Sequence, residues 1–513
     1  MPGSARGISH TTTRLLPNCP GVQLRPAWAF SLAPSVSRRG TRRAVISATI
    51  ATGSAANNPS AATASCPTLS TSSPIAQAAA ASAAKAAEQI TTHNAAEEVA
   101  VWTSCRPLRC LPSSLENPGA LAKAARQLPG YDGGLQMVTT TATVDLSLAE
   151  RTFLAMLRTP QLDEKLAAND PWFISAARLV DEAVSVATWR AFGPSGCDEG
   201  KCEKELDSCH TFLQRMLYRL NRLNHFWYDD LRNYENERSS LMTAFRNRIE
   251  CSWQAWEKQR CMEAVGGEQI FRSATVAQMV ETIRQWAARD VDPPLSPAAV
   301  YIRDEMSLEG YRHLLAVGSL DGLVEASRQA RVCSGAANEV SATVFRVLME
   351  EYGNGRLSRK HSTFYHSMMA QMGLDTRPEA YFDLVPWQWL ACANHNFLMT
   401  ERRRNYLRYL GGLTYFEVNG PSMYRTYCTA AQRQGLPPSG WGYWELHVRE
   451  DERHGRQMVE EVAFPLIQRY GEADGWEVLW GYAQEMEMGG RAGQALVADI
   501  KAMEAETAIA QKQ

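Results

Sequence analysis

The chain has 513 residues, 53 of them basic and 55 acidic, which is enough for two or three domains and a large core. The charge is unevenly placed: residues 1 to 87 hold no Asp or Glu, so removing their seven arginines and Lys85 leaves the remainder with an excess of about ten acids. That balance argues against a nucleic-acid backbone as partner, which needs a basic face, and no apolar run approaches the roughly 18 to 20 residues of a membrane span.

In chain order, the arginines from Arg6 to Arg43 lie among Ser, Thr and Ala, the composition of an organelle transit peptide over residues 1–48. RRAVISA at 42–48 reads as a chloroplast processing region, which implies the plastid stroma, with a mitochondrion as the alternative. Residues 49–138 read as a low-complexity linker that lacks the apolar surface to order itself. From 139 onward helical periodicity dominates, and no set of alternating strands is found. The spacing C-x4-C-x6-C-H of Cys197, Cys202, Cys209 and His210 lacks C-x2-C knuckles and reads as a polar loop between helices rather than a zinc site. Leu241, Phe245, Ile249, Trp253 and Trp256 recur at helical spacing, so 211–260 is expected to form one or two long helices. In HFWYDD, His225 and Asp229 mimic a ligand pair, but the surrounding acids favour a solvated face with a capping or packing His.

DVDPPLSP at 290–297 breaks the helices and separates an accessory region, 139–289, from a second part, 298–505. Whether the two pack as one bundle is open in the sequence. A helix begins near 339, with Val344, Val347 and Leu348 on the face that Glu351 shares, while Glu350 stands four residues after Arg346, an exposed ion-pair spacing. Leu357, His361, Phe364, Tyr365 and Met368 form the next apolar stripe, and His366 falls off it. A straight helix would separate Glu351 from His361 by about 15 Å. For both to serve one site the helix has to break at Gly353-Asn354-Gly355, where glycine tolerates the backbone angles required.

Tyr406, Leu410, Leu413 and Glu417 make a stripe ending before Pro421, which buries Glu417. Further on, ELHVREDERHGRQM at 445–458 places His447, Asp451 and His454 at offsets of four and seven, within a sector of roughly 60° on one helix face. That stripe runs from Tyr443 to Met458 and Val462, and Pro465 closes it. An acid and two imidazoles on a core stripe are costly to bury without partners, which points to a metal. Carboxylate mixed with imidazole and no cysteine favours iron or manganese over zinc. Trp387, Trp389, Tyr415, Trp441, Tyr443 and Trp444 are expected in the core, with a substrate-pocket lining as the alternative.

EEYGNGRLSRKH at 350–361, GLD at 373–375, ACANHNF, GGLTYFE and HVREDERHGR together resemble the haem-oxygenase-like diiron oxidases, the iron-containing redox enzyme family, over roughly 300–490. The resemblance implies an all-α, haem-oxygenase-like helical bundle carrying an N-terminal helical accessory region. It implies two non-haem Fe as cofactor, dioxygen as co-substrate and a small organic substrate, hence an oxidoreductase. Its ligand pattern falls on His447, Asp451 and His454 of one core helix, on Glu351 and His361 of a second, and on Glu325 of a third. Glu325 is carried mostly by the resemblance, helped by a span to Glu351 that suits a helix, a turn and a return, since its own face holds Gly318, Gly322 and Gln329. Glu417 is a reserve, with a structural hydrogen bond as its other reading. No nucleotide fingerprint such as G-x-G-x-x-G is evident, so reducing equivalents come from an external electron donor or from the substrate. The alternatives are a cofactorless enzyme on the same fold and a non-enzymatic helical partner protein. The oligomeric state is open, a dimer included.

Overall fold

Asp145, Asp170, Ser239, Thr275, Ser296, Ser307 and Asn338 each accept a backbone N–H at the start of a helix, so the helix starts are written locally in the chain. The computed structural model describes residues 144–193, 203–225, 234–335 and 338–510. The leader, the linker, Cys197, Cys202 and Asp229 lie outside them. Among the described residues every element is helical and no strand occurs.

The accessory region supplies α1 (Leu146–Leu157), α2 (Pro171–Phe192), α3 (Glu203–Arg222), α4 (Ser240–Ala264) and α5 (Val276–Asp290). The second part supplies α6 (Pro297–Asp304), α7 (Leu308–Gly322), α8 (Glu339–Glu351), α9 (His361–Gln371), α10 (Trp387–Glu401), α11 (Tyr406–Arg433) and α12 (Gly442–Gln457). A π-turn, Met458–Ala463, follows, then α13 (Phe464–Asp474) and α14 (Trp476–Ala510). DVDPPLSP falls between α5 and α6, with Ser296 capping α6 and Pro297 in its first turn. The break does not divide the core: Phe153, Val184, Leu217 and Ile283 pack in one cluster with Val344, Leu398, Leu410 and Leu479.

Long α11 is the hub, lying against both α12 and α14. At its contact with α14 the backbones nearly touch: a Cβ on Gly411 would stand 2.0 Å from the Val478 carbonyl oxygen, and one on Gly481 would stand 1.9 Å from that of Arg408. α11 also departs from the sequence reading, because it continues through Pro421 instead of stopping before it. The missing N–H of Pro421 frees the Glu417 carbonyl, and Gly455 of α12 packs there, where an added Cβ would lie 2.9 Å from that oxygen. Pro465 likewise does not end its helix: the π-turn precedes it, and it sits in the first turn of α13. Within the π-turn Glu461 accepts from Thr343 at 2.9 Å and Arg346 at 2.6 Å, which fastens this turn to α8.

Two further expectations change. Leu357 is 76% exposed, because the chain there forms a short 3-10 turn before α9 begins and Leu357 shares no helix face with His361. Cys209 and His210 belong to α3 and are buried, so that part of the cysteine stretch is core rather than polar loop. His210 lies flat on Trp387 at 4.2 Å and 12°, while His225 packs against Phe397 and faces Glu401.

Burial, reinforced by Arg491 and Arg260, pushes the His210 imidazole down to about 4. Neutral in the folded chain, it takes up a proton on unfolding at any pH between that value and its ordinary 6.5. Stability is therefore full above pH 6.5 and falls as the pH drops toward 4, by about 2 kcal/mol at pH 5. His210→Phe keeps the ring stack and removes the proton. Urea midpoints at pH 7.5 and pH 5 should lie closer together in the variant than in the wild type; equal gaps in the two proteins would refute the assignment.

Candidate metal centre

Six residues named from the sequence converge on one buried spot, brought there by two breaks in helical structure and one continuous helix face. α7 unravels at Gly322, and Glu325 lies in the following turn, beside Ala326 at φ 60°. Gly318 and Gly322, which weaken the apolar pattern before Glu325, form the groove for the Tyr365 side chain: a Cβ on Gly318 would stand 2.5 Å from its hydroxyl oxygen, and one on Gly322 2.5 Å from its ring carbons. The Tyr365 hydroxyl donates to the Leu315 carbonyl at 2.8 Å, locking α9 to α7.

Glu351 ends α8 and His361 opens α9. Between them Gly353, Asn354 and Gly355 all take positive φ, so the chain doubles back. His361 Nδ1 then lies 2.7 Å from Glu351 Oε2. Lys360 Nζ reaches the Glu325 carbonyl at 3.4 Å, tying this turn to the one after α7. His447, Asp451 and His454 come from a single face of α12 and are 0–2% exposed.

The donor atoms fall into two groups that share Glu351. Glu325, Glu351, His361 and His447 make one, and Glu351, Asp451 and His454 the other; within each group the atoms lie inside 4.8 Å of one another. His447 Nε2 is 2.9 Å from Glu325 Oε1 and 3.1 Å from His361 Nδ1. His454 Nδ1 is 3.7 Å from both Glu351 Oε1 and Asp451 Oδ1, and 3.4 Å from Glu417 Oε2. Glu351 thus turns one oxygen toward each group. Glu417, the reserve residue, is buried against the second.

The imidazoles are aimed from behind. His447 Nδ1 meets the Tyr443 carbonyl at 2.8 Å, an arrangement in which it donates its proton and leaves Nε2 facing inward. His454 Nε2 meets Glu350 Oε2 at 2.6 Å, leaving Nδ1 inward. Sequence spacing assigned Glu350 to Arg346; in the structure Arg346 pairs with Glu461, and Glu350 takes both Arg453 and His454. The signal lay in the adjacency of Arg453 to an inward His454, which implies an acid across the helix boundary. Tyr443 is a second such contributor, its hydroxyl donating to Glu325 Oε1 at 2.5 Å.

Charge in this cluster is far from neutral balance. Burial opposes a charged His454, yet Asp451, Glu417 and Glu350 raise it to about 11, and the carboxylates around His447 lift that group well above its usual range despite its burial. Burial also opposes the charge on Glu325, but His447 and His361 hold it at about 2. Asp451 goes the other way, to about 7, through burial and the nearby Glu417 and Glu351. Both Asp451 oxygens, Glu325 Oε2 and His454 Nδ1 are buried without a hydrogen-bond partner. Orphaned polar atoms of this kind are costly, and protons on the imidazoles are what offsets the acids. A cation fits the same place, since it would satisfy the orphaned atoms and replace those protons.

Comparison with known proteins agrees with the chemistry of the donors. Residues 312–490, which contain all six positions, match the model of the family described as iron-containing redox enzymes, so this segment is of that family and its helices are of the haem-oxygenase-like type. The chain is also 26% identical over 209 residues to the nitrosourea synthase of Streptomyces achromogenes subsp. streptozoticus. That alignment covers 38% of this chain and 44% of the relative, so the chain spans under half the length of the curated protein it matches.

Proposed function

We propose that the chain is a non-haem diiron oxidase or oxygenase that uses dioxygen on a small organic substrate. The observation that carries this reading is the shared Glu351: two donor groups meeting on one carboxylate suit two adjacent cations better than one. Glu325, His361 and His447 would hold the first iron, Asp451 and His454 the second, and Glu351 both. Bound there, the iron pair would supply electrons to dioxygen and act as an electrostatic template.

The chain's own part is positioning and exclusion of water. Tyr443 and Glu350 keep the outward N–H groups of His447 and His454 bonded, so the inward nitrogens remain available. Met458, Val462 and Tyr424 are buried beside the cluster's helices and contribute to a dry wall. A bound cation would take the place of the inward protons of His447 and His454, while Glu350 holds the outward N–H of His454. We assign the reaction to 298–505 and a supporting role to 139–289. The acid-free leader supports an organellar address, plastid before mitochondrion. Because the relative is named for a nitrosourea, small nitrogen-bearing organic molecules are the first class to screen.

Anaerobic loading of the full chain with ferrous iron, followed by metal quantification and stopped-flow absorption against oxygenated buffer, tests the reading. About two irons per chain are expected, with an oxygen-dependent absorption change that is lost in a His447→Ala, His454→Ala control. No retained iron and identical traces from the control would overturn the proposal in favour of a cofactorless enzyme or a helical partner protein.

A further inference from the structure

One wall of the cluster is made of aromatic rings that continue outward without a gap. The Tyr443 hydroxyl donates to Glu325 at 2.5 Å, and its ring lies 4.3 Å from that of His447. Trp444 meets Tyr443 at 4.9 Å, and Tyr427 meets Trp444 at 4.9 Å. Tyr427 is half-buried, so the series ends at the surface. Tyr424 gives a second edge into the same indole, stacked on Trp444 at 5.5 Å and touching the His447 ring at 4.9 Å.

Edge-to-face packing of this kind is ordinary in a core, but two features go beyond packing. The Tyr443 phenol is bonded to an acid of the site itself, and the rings are contiguous from that acid to a half-buried edge. The sequence also offers no flavin or nicotinamide fingerprint, so electrons for the site would come from an external donor or from the substrate.

We propose that Tyr443 and Trp444 form a one-electron relay between the candidate metal centre and the surface at Tyr427, through which an external one-electron donor re-reduces the centre. The inference rests on the diiron reading above. Phenol and indole are among the side chains most readily oxidised by one electron. With an oxidised metal pair held there, Tyr443 would give up one electron and its O–H proton would pass along the existing hydrogen bond to Glu325. Trp444 then returns an electron to Tyr443, and the proton moves back from Glu325 to the phenolic oxygen. The Trp444 N–H donates to the Tyr311 hydroxyl at 2.8 Å, which itself donates to the Gly440 carbonyl. That nitrogen's partner among the described residues is a hydroxyl and not a carboxylate, so Trp444 passes an electron with its N–H intact. The donor, for which ascorbate serves as the probe, restores Trp444 over the Tyr427 edge. Summed over the steps, one electron moves from donor to centre and no proton is left behind.

The test is rapid-freeze paramagnetic resonance on the ferrous-loaded full chain after mixing with dioxygen, with and without ascorbate, iron content being measured in each sample. The wild type should show a transient organic radical that ascorbate removes. Tyr443→Phe, which deletes a single oxygen atom, should abolish the tyrosyl component. Trp444→Phe should leave that component in place and slow its removal by ascorbate about tenfold. If iron is bound and oxidised but no organic radical forms, or if Trp444→Phe loses its radical to ascorbate as fast as the wild type, the relay is wrong while the metal reading stands. Failure to bind iron in the wild type overturns the metal reading, and the relay falls with it.

Discussion

Glu351→Ala should empty the candidate centre, lowering iron per chain from about two to well under one, whereas Asp451→Ala should keep about one. The difference follows from geometry. Glu351 Oε2 stands by His361 and His447 while Oε1 faces His454, so its loss strips both donor groups. Asp451 belongs to one group only. Without metal the Glu351 variant should also be less stable, because His361 loses the carboxylate 2.7 Å from its Nδ1, whereas His447 keeps Glu325, and breaking one buried pair costs about 3–5 kcal/mol. Metal quantification after anaerobic loading, with urea unfolding of the metal-free proteins, reads both effects. Equal iron in the two variants would show that Glu351 is not shared.

Gly353→Ala should be nearly as damaging as loss of a ligand, although residue 353 ligates nothing. Its φ is +61°, and a Cβ there would lie 2.4 Å from the Arg359 carbonyl carbon and 2.6 Å from the Lys360 nitrogen. Those are backbone atoms of the segment that delivers His361, so relief of the clash moves His361 away from Glu351. Gly355 also has positive φ, +78°, but nothing stands within 4 Å of its Cβ position. Gly355→Ala should therefore cost about 1 kcal/mol from the left-handed angle alone, while Gly353→Ala should cost about 3 kcal/mol or more as overpacking adds to it. Urea midpoints give the stability comparison, and iron content should fall in the first variant and hold in the second. Equal effects would place the importance of the turn in its angles and not in its close approach.

The sequence by itself determined what depends on short-range pattern. The helical class followed from periodicity and the helix starts from capping residues. The inward turn of His447, Asp451 and His454 followed from offsets of four and seven on one helix. The need for a break at Gly353-Asn354-Gly355 was also legible, because a straight helix cannot bring Glu351 and His361 together. Tertiary structure decided what depends on partners far apart in the chain. Glu350 lies at an ideal distance from Arg346 along α8, yet the π-turn brings Glu461 to that arginine and α12 brings His454 to Glu350. Pro421 looked like a stop, but Gly455 of α12 packs where the freed Glu417 carbonyl lies, and α11 runs on. Glu325 has no apolar face to announce it, because Gly318 and Gly322 are a groove for the side chain of Tyr365, distant in the sequence. Local pattern sets which way a side chain turns on its own helix; which side chain it then meets is set by the packing of other helices, and that is why the inward turn of Glu351, His361, His447, Asp451 and His454 was readable while Glu325 and the supporting residues were not.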